Sequence, residues 1–232
     1  MKQDSNNFLS KKLSLVKRNI RFYQKIGLSR LFISGGMPRS GSTLLFNIIR
    51  ILLEEKYNGK VGSGWLGQLD KIPDSGVYLV KGHTLDPLKM KRASLIFYSY
   101  RDLRDALVSR KKKFGREPSL KVVQNWIQQF RLAQKYSNLM LKYELMMADP
   151  SVTINQVAKL LEMEVDTDRI QAQLPSTTSR SENTEFDPVT LLHKDHVTGT
   201  KALDWKSEIP SNLVEDIYKE FKWWFIENDY EI

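Results

Sequence analysis

Apolar residues along the chain fall into short unbroken runs separated by longer stretches of helical spacing. Leu31-Phe32-Ile33-Ser34, Val77-Tyr78-Leu79-Val80 and Leu95-Ile96-Phe97-Tyr98 have no alternating polar positions, which predicts strands covered on both faces. Leu139 to Tyr143 predicts a fourth strand. Between these runs, Ser42 to about Glu55 carries Leu44, Leu45, Phe46, Ile48, Ile49, Ile51, Leu52 and Leu53 with almost no polar face, so it predicts a buried helix. Asp102 is placed to cap a helix that runs to about Phe114, and Ser119 to Ser137 turns Leu120, Val123, Ile127 and Phe130 inward. Asp149-Pro150 opens a helix through Val152, Ile154, Val157, Leu160 and Leu161. A last amphipathic helix holds Val214, Ile217, Tyr218, Phe221 and Trp224. Strands alternating with helices predict an α/β fold of three layers, a central, mainly parallel sheet flanked by helices.

Two segments stand outside that alternation. From Leu9 to Ile26, Leu9, Leu13, Val16, Ile20 and Tyr23 recur at helical spacing, while Lys11, Lys12, Lys17, Arg18, Arg21 and Lys25 fill the other faces. This predicts a basic amphipathic helix within residues 1–29, expected to pack its apolar stripe on the domain; docking on a membrane surface or a polyanion is the alternative. From Ser176 to Thr200 the chain is rich in Ser, Thr, Asn and Asp, and this polar stretch is a candidate mobile lid. Neither segment is a linker and no internal repeat exists, so residues 1–232 are read as one domain.

Composition narrows the partners. The formal charge of +9 calls for an anion, whether nucleic acid, a membrane surface or a phosphorylated nucleotide. The absence of cysteine removes disulfide frameworks and Cys-ligated zinc, and no His or carboxylate cluster has metal-ligand spacing, so no metal is expected. No run approaches the roughly 20 apolar residues that span a bilayer, and the polar start Met1 to Asn7 lacks a secretory layout. A soluble, cytoplasmic protein is the expectation.

The candidate chemistry begins at Gly36-Met37-Pro38-Arg39-Ser40-Gly41-Ser42-Thr43, set between a predicted strand and the buried helix. Gly36, Gly41 and Thr43 match the spacing of a Walker A loop, in which backbone N–H groups turn toward a phosphate at a helix N-terminus. The lysine expected after Gly41 is replaced by Ser42, and a cation stands earlier, at Arg39. The loop makes the predicted architecture a P-loop-type fold.

Four segments together resemble the sulfotransferases that use 3′-phosphoadenosine 5′-phosphosulfate (PAPS), over Leu31 to Lys206. Pro38, Arg39, Ser40, Gly41, Ser42 and Thr43 are similar to that family's 5′-phosphosulfate loop. The resemblance gives Arg39 the sulfuryl end, a role that suits a planar guanidinium. Tyr100-Arg101-Asp102 through Ser109 is similar to the 3′-phosphate motif, with Arg101 and Ser109 as the gripping residues. Lys142-Tyr143-Glu144 is similar to the family's Tyr-Glu segment, which implies Tyr143 beside the adenine. Thr198-Gly199-Thr200-Lys201 before Asp204-Trp205-Lys206 is similar to the closing cofactor loop, but it lacks the Arg-Lys-Gly triplet of soluble hydroxyl-directed members; Lys201 is the compensating cation.

The same resemblance makes Lys81-Gly82-His83 the Lys-x-His of soluble members. His83 is then the base that deprotonates an acceptor hydroxyl or amine, titrating near working pH, and Lys81 contacts the sulfuryl oxygens. Glu54 and Glu55 are expected to face solvent, and the stretch Asn58 to Gly64 offers no carboxylate base. His193 and His196 are outside candidates. The acceptor pocket is expected from Asn58 to Asp74 and from Ser176 to Thr200. Two other readings stay open: a P-loop kinase of a small metabolite, against which the missing loop lysine argues, and a nucleic-acid-binding protein, which lacks an RNP-like motif or recognition helix.

Overall fold

The computed structural model describes residues 16–17, 19–175, 186–193 and 203–231. Its centre is one sheet of five strands: β1 (Arg30–Gly36), β2 (Gly62–Trp65), β3 (Val77–Gly82), β4 (Leu95–Tyr100) and β5 (Leu139–Lys142). They lie in the order β2-β3-β1-β4-β5, and every neighbouring pair is parallel, so the sheet is wholly rather than mainly parallel.

Helices cover both faces. They are α1 (residues 19–26), α2 (Ser42–Lys56), α3 (Pro87–Arg92), α4 (Leu103–Phe114), α5 (Leu120–Tyr136), α6 (Tyr143–Ala148), α7 (Pro150–Leu160), α8 (Thr167–Ala172), α9 (Trp205–Glu208) and α10 (Ser211–Glu227). Alternate strand residues divide between two cores, as the strand pleat requires. Leu31, Ile33, Tyr78, Val80, Ile96 and Tyr98 join side chains of α1, α3, α4, α5 and α10. Phe32, Val77, Leu79, Phe97 and Leu141 join those of α2, α7 and α8. The first core is aromatic at its centre, where Phe130 meets Tyr98, Tyr100 and Trp224 edge-on at 6.4, 5.4 and 5.7 Å between ring centroids. Phe130, 1% exposed, contributes about 1.5–3 kcal/mol of transfer free energy by its burial.

Several expectations change. Tyr143 does not end the fourth strand; β5 stops at Lys142 and Tyr143 opens α6. The edge strand β2 was not predicted, because Gly62-Ser63-Gly64 lacks the β-branched residues that mark strands. The N-terminal helix is turned over. Phe22 and Ile26 face the core at 5% and 1% exposure, whereas Val16, Ile20 and Tyr23 of the predicted packing stripe point outward.

Residues 176–185 and 194–200 of the predicted lid lie outside the described residues. The part between them is fastened to the domain: Leu191 is buried, Asn47 Nδ2 donates to the Thr190 carbonyl across 2.9 Å, and Phe186 pairs with His193.

Candidate active site

The loop between β1 and α2 is held from below. Met37 N–H donates to the Ser99 carbonyl at 2.9 Å, and the Ser40 hydroxyl lies 2.6 Å from the Met37 carbonyl, 3.0 Å from the Ser99 carbonyl and 2.8 Å from Ser99 Oγ. The end of β4 thus fixes the loop. Gly36 is the close approach in this arrangement, since a Cβ there would fall 2.5 Å from Ser99 Oγ and 2.6 Å from Ser42 Cβ. Arg39 and Gly41 both adopt left-handed backbone, at φ 69° and 72°. The turn at Arg39 is uncommon for a side chain with a Cβ.

Helix α2 begins at Ser42 with Gly41 as N-cap, no side-chain cap and no acidic residue in its first turn. Its leading N–H groups and helix dipole therefore present positive potential at the loop. Cationic side chains gather around that end. Lys81, 2% exposed on β3, donates to Thr43 Oγ1 at 2.5 Å and lies 4.8 Å from the Trp65 ring centroid. Burial, and then the charge of Arg39, lower its pKa to about 7. The Arg39 pKa is also lowered, first by burial and then by Arg101.

Arg39 Nε donates to Ser109 Oγ on α4 across 2.9 Å. The carbonyl of Arg39 lies 3.5 Å from an Arg101 guanidinium nitrogen, and that guanidinium stacks 4.2 Å from the Tyr143 ring centroid. Tyr143 in turn lies against Gly41. Arg39, Arg101, Ser109 and Tyr143, spread over more than a hundred positions of sequence, thus share one end of the sheet.

His83 follows β3 on the other side of the loop. Its Nδ1 lies 2.7 Å from the Gly36 carbonyl oxygen. A carbonyl only accepts, so Nδ1 carries the proton and Nε2 the lone pair. The expectation of an imidazole titrating near neutrality is overturned: burial, then Lys81, lower its pKa to about 4, although the Gly36 bond pulls the other way. A ring wedged beside two cations is neutral at physiological pH.

Trp65 is the residue that sequence reasoning missed. Its ring lies 5.9 Å from the His83 ring, and β2 pairs it in register with Lys81. The glycines that hid β2 also hid Trp65. Glu54 and Glu55 are occupied elsewhere, by Arg50 and Arg169 at 2.7 Å each. His193 is close enough for Lys113 and Lys81 to help lower its pKa, after burial. Thr198, Gly199, Thr200, Lys201 and His196 lie outside the described residues. Among the described residues, no group of three or more His, Asp or Glu is placed to hold a metal ion. No helix among them is long and apolar enough to cross a membrane.

A parallel sheet whose first strand turns through a glycine loop into an uncapped helix is the P-loop-type architecture. Within that class the chain has the sulfotransferase fold. It is similar to mouse sulfotransferase SULT7A1 complexed with PAP, with TM-score 0.59 and 13% identity over 83% of each chain. It is also similar to retinol dehydratase with retinol and PAP, with TM-score 0.57 and 12% identity over 88% of this chain and 83% of that one. Retinol dehydratase with androsterone and inactive cofactor PAP gives 0.58 and 14%, over 88% and 82%. No family model matches the chain, and no curated protein sequence does.

Proposed function

We propose that the protein is a PAPS-dependent sulfotransferase that transfers a sulfuryl group to an acceptor hydroxyl or amine, with His83 as base. The observation that carries this reading is the convergence of Arg39, Lys81 and Arg101 on the uncapped N-terminus of α2, beside a histidine held in one neutral tautomer. The cradle fits a nucleotide with phosphates at both ends. Backbone N–H groups from Gly41 to Thr43, with Ser40 bracing the loop and Pro38 entering it, suit the 5′ end. Arg101 and Ser109 suit the 3′-phosphate, Arg101 by charge and fork geometry, and Tyr143 suits the adenine. Thr198 to Lys201 complete the set by resemblance alone.

When bound, PAPS supplies the sulfuryl group and departs as PAP. His83 accepts the acceptor's proton at Nε2, while its Nδ1–H stays on Gly36 and keeps the ring oriented. Lys81 and Arg39 place positive charge where negative charge builds, in a site buried enough for that charge to count. Trp65 forms the acceptor-side wall next to His83. Magnesium has no assigned role.

The reading is tested with radiolabelled PAPS, a cell extract as acceptor source, and PAP binding by calorimetry. Label transfer that His83→Ala abolishes while PAP affinity stays within about threefold supports it. Arg101→Ala should weaken PAP binding by roughly tenfold to a hundredfold, the loss of one or two charge-assisted hydrogen bonds. Absence of PAP binding, together with magnesium-dependent ATP consumption, would establish the kinase reading instead.

A further inference from the structure

Helix α1 carries two apolar stripes, and the domain uses one. Phe22 and Ile26 are four residues apart and enter the core, where the Lys89 ammonium sits 5.2 Å from the Phe22 ring centroid. Ile20 and Tyr23, with Val16 in the helical pair ahead of α1, recur at spacing i, i+4, i+7 and form the second stripe, 52% (Val16), 50% (Ile20) and 44% (Tyr23) exposed. The patch continues past the helix. Leu28 is fully exposed in the turn before β1, and Leu88 of α3 is 49% exposed where Tyr23 Oη donates to its carbonyl at 3.2 Å.

The charges on the helix side of this patch are basic. Lys17, in the helical pair 16–17 ahead of α1, and Arg21 of α1 are exposed, and Lys91 is exposed on α3. Residues 1–30 contain eight Lys or Arg and a single acid, Asp4, and the apolar period continues upstream in the sequence through Leu13 and Leu9. The acids near it are Asp86, whose carboxylate is taken up in capping α3 at Leu88 N–H, and Asp70 and Asp74, which lie to one flank where Lys25 bonds Asp74 at 2.5 Å.

From these observations we infer that the outer face of α1, with Leu28 and Leu88, lies on an anionic lipid surface, apolar side chains in the headgroup region and basic ones against lipid charge. A basic helix with a row of aliphatic and aromatic residues on one side is the amphipathic pattern that binds in the plane of an interface. A second copy of this chain fits less well, because a self-complementary contact would set Lys17 and Arg21 against their own equivalents. Nucleic acid would engage the cations but leave the apolar stripe in water. The inference is independent of the transfer chemistry. It places this face of the fold at a membrane surface.

The test is cosedimentation of the full chain with vesicles of phosphatidylcholine alone and of phosphatidylcholine with phosphatidylserine. Binding is expected only to the anionic vesicles, weakening as salt rises. Val16→Glu with Ile20→Glu, and separately Lys17→Glu with Arg21→Glu, should each lower vesicle affinity by about tenfold or more. All four positions are exposed, so both variants should melt like the wild type, which separates lost docking from lost folding. The inference is overturned by a wild type that ignores anionic vesicles, by Val16→Glu with Ile20→Glu binding them unchanged, or by a lipid-free dimer that this variant dissociates.

Discussion

Arg39 Nε donates to Ser109 Oγ across 2.9 Å, so a side chain of the phosphate loop is seated on the helix that follows β4. The sequence motifs put these two residues at opposite ends of the nucleotide, Arg39 by the sulfuryl group and Ser109 by the 3′-phosphate. Their contact makes them one unit, with consequences for how each responds to substitution.

Arg39→Ala and Ser109→Ala should therefore not act independently on nucleotide binding. Each alone should weaken PAP binding about tenfold, and the double variant should fall short of the product by an interaction of about 0.5–1.4 kcal/mol, the upper figure corresponding to complete coupling. Calorimetric titration of the four proteins measures the cycle. Strict additivity would show that the contact has no bearing on the bound state.

Lys81 predicts proton uptake. With its pKa near 7 in the nucleotide-free protein, a large fraction of the molecules is uncharged there at neutral pH and above. An anion beside the ammonium raises that pKa, so PAP binding draws a proton from solution and affinity falls as pH rises through and above 7. Binding enthalpies in buffers of different ionisation heat should reveal up to about one proton per site near pH 8. Lys81→Met should remove the uptake.

His83 predicts the opposite flank of the pH range. Its folded pKa is near 4 against an ordinary value of 6.5, so the unfolded chain takes the proton first as solution is acidified. Stability from this group is present above about pH 6.5, declines as pH falls toward 4, and levels off below. Denaturant titrations between pH 7 and 4 should show a smaller loss for His83→Gln than for the wild type. In turnover, the acidic limb of kcat/KM should lie well below pH 6.5.

Gly36→Ala tests the seating of the loop. The added methyl would fall within 2.6 Å of both Ser99 Oγ and Ser42 Cβ, and neither is the far end of a flexible chain. The expected cost is about 1–3 kcal/mol of stability from overpacking. PAP binding should fall further than stability does, because the displaced atoms are those of the cradle. Thermal melting with and without PAP separates the two effects.

The sheet was legible in the sequence because a strand buried on both faces must be a continuous apolar run, and β1, β3 and β4 are. Caps were legible for a similar reason: Asp102 and Asp149 accept from the N–H groups two residues on, the local geometry that Asp favours. Strand β2 was not, since Gly62-Ser63-Gly64 forms a strand only because β3 offers it an edge. The N-terminal helix misled for a different reason. Periodicity reveals that a stripe exists, but with Phe22 and Ile26 beside Ile20 and Tyr23, volume and fit decide which stripe the core takes. In the site, the motifs marked which residues gather; the distances and the low pKa of His83 depend on burial, which only packing sets.

The end of β4 also has a tether from far along the chain. Asp102 holds Arg104 in a two-pronged buried pair at 3.0 and 2.7 Å, and the guanidinium lies between Trp205 and Phe225 while donating to the Glu231 carbonyl at 2.7 Å. Nearby, Tyr230 Oη donates to Glu144 at 3.0 Å, and Lys142 reaches the carbonyls of Asn228 and Asp229. During synthesis, then, the glycine loop leaves the ribosome early, but Arg104, Lys142 and Glu144 lack these partners until residues 228–231 arrive. A nascent chain halted before that point holds the glycine loop and the end of β4 without this brace, so the proposed nucleotide site would be set only after residues 228–231 have emerged.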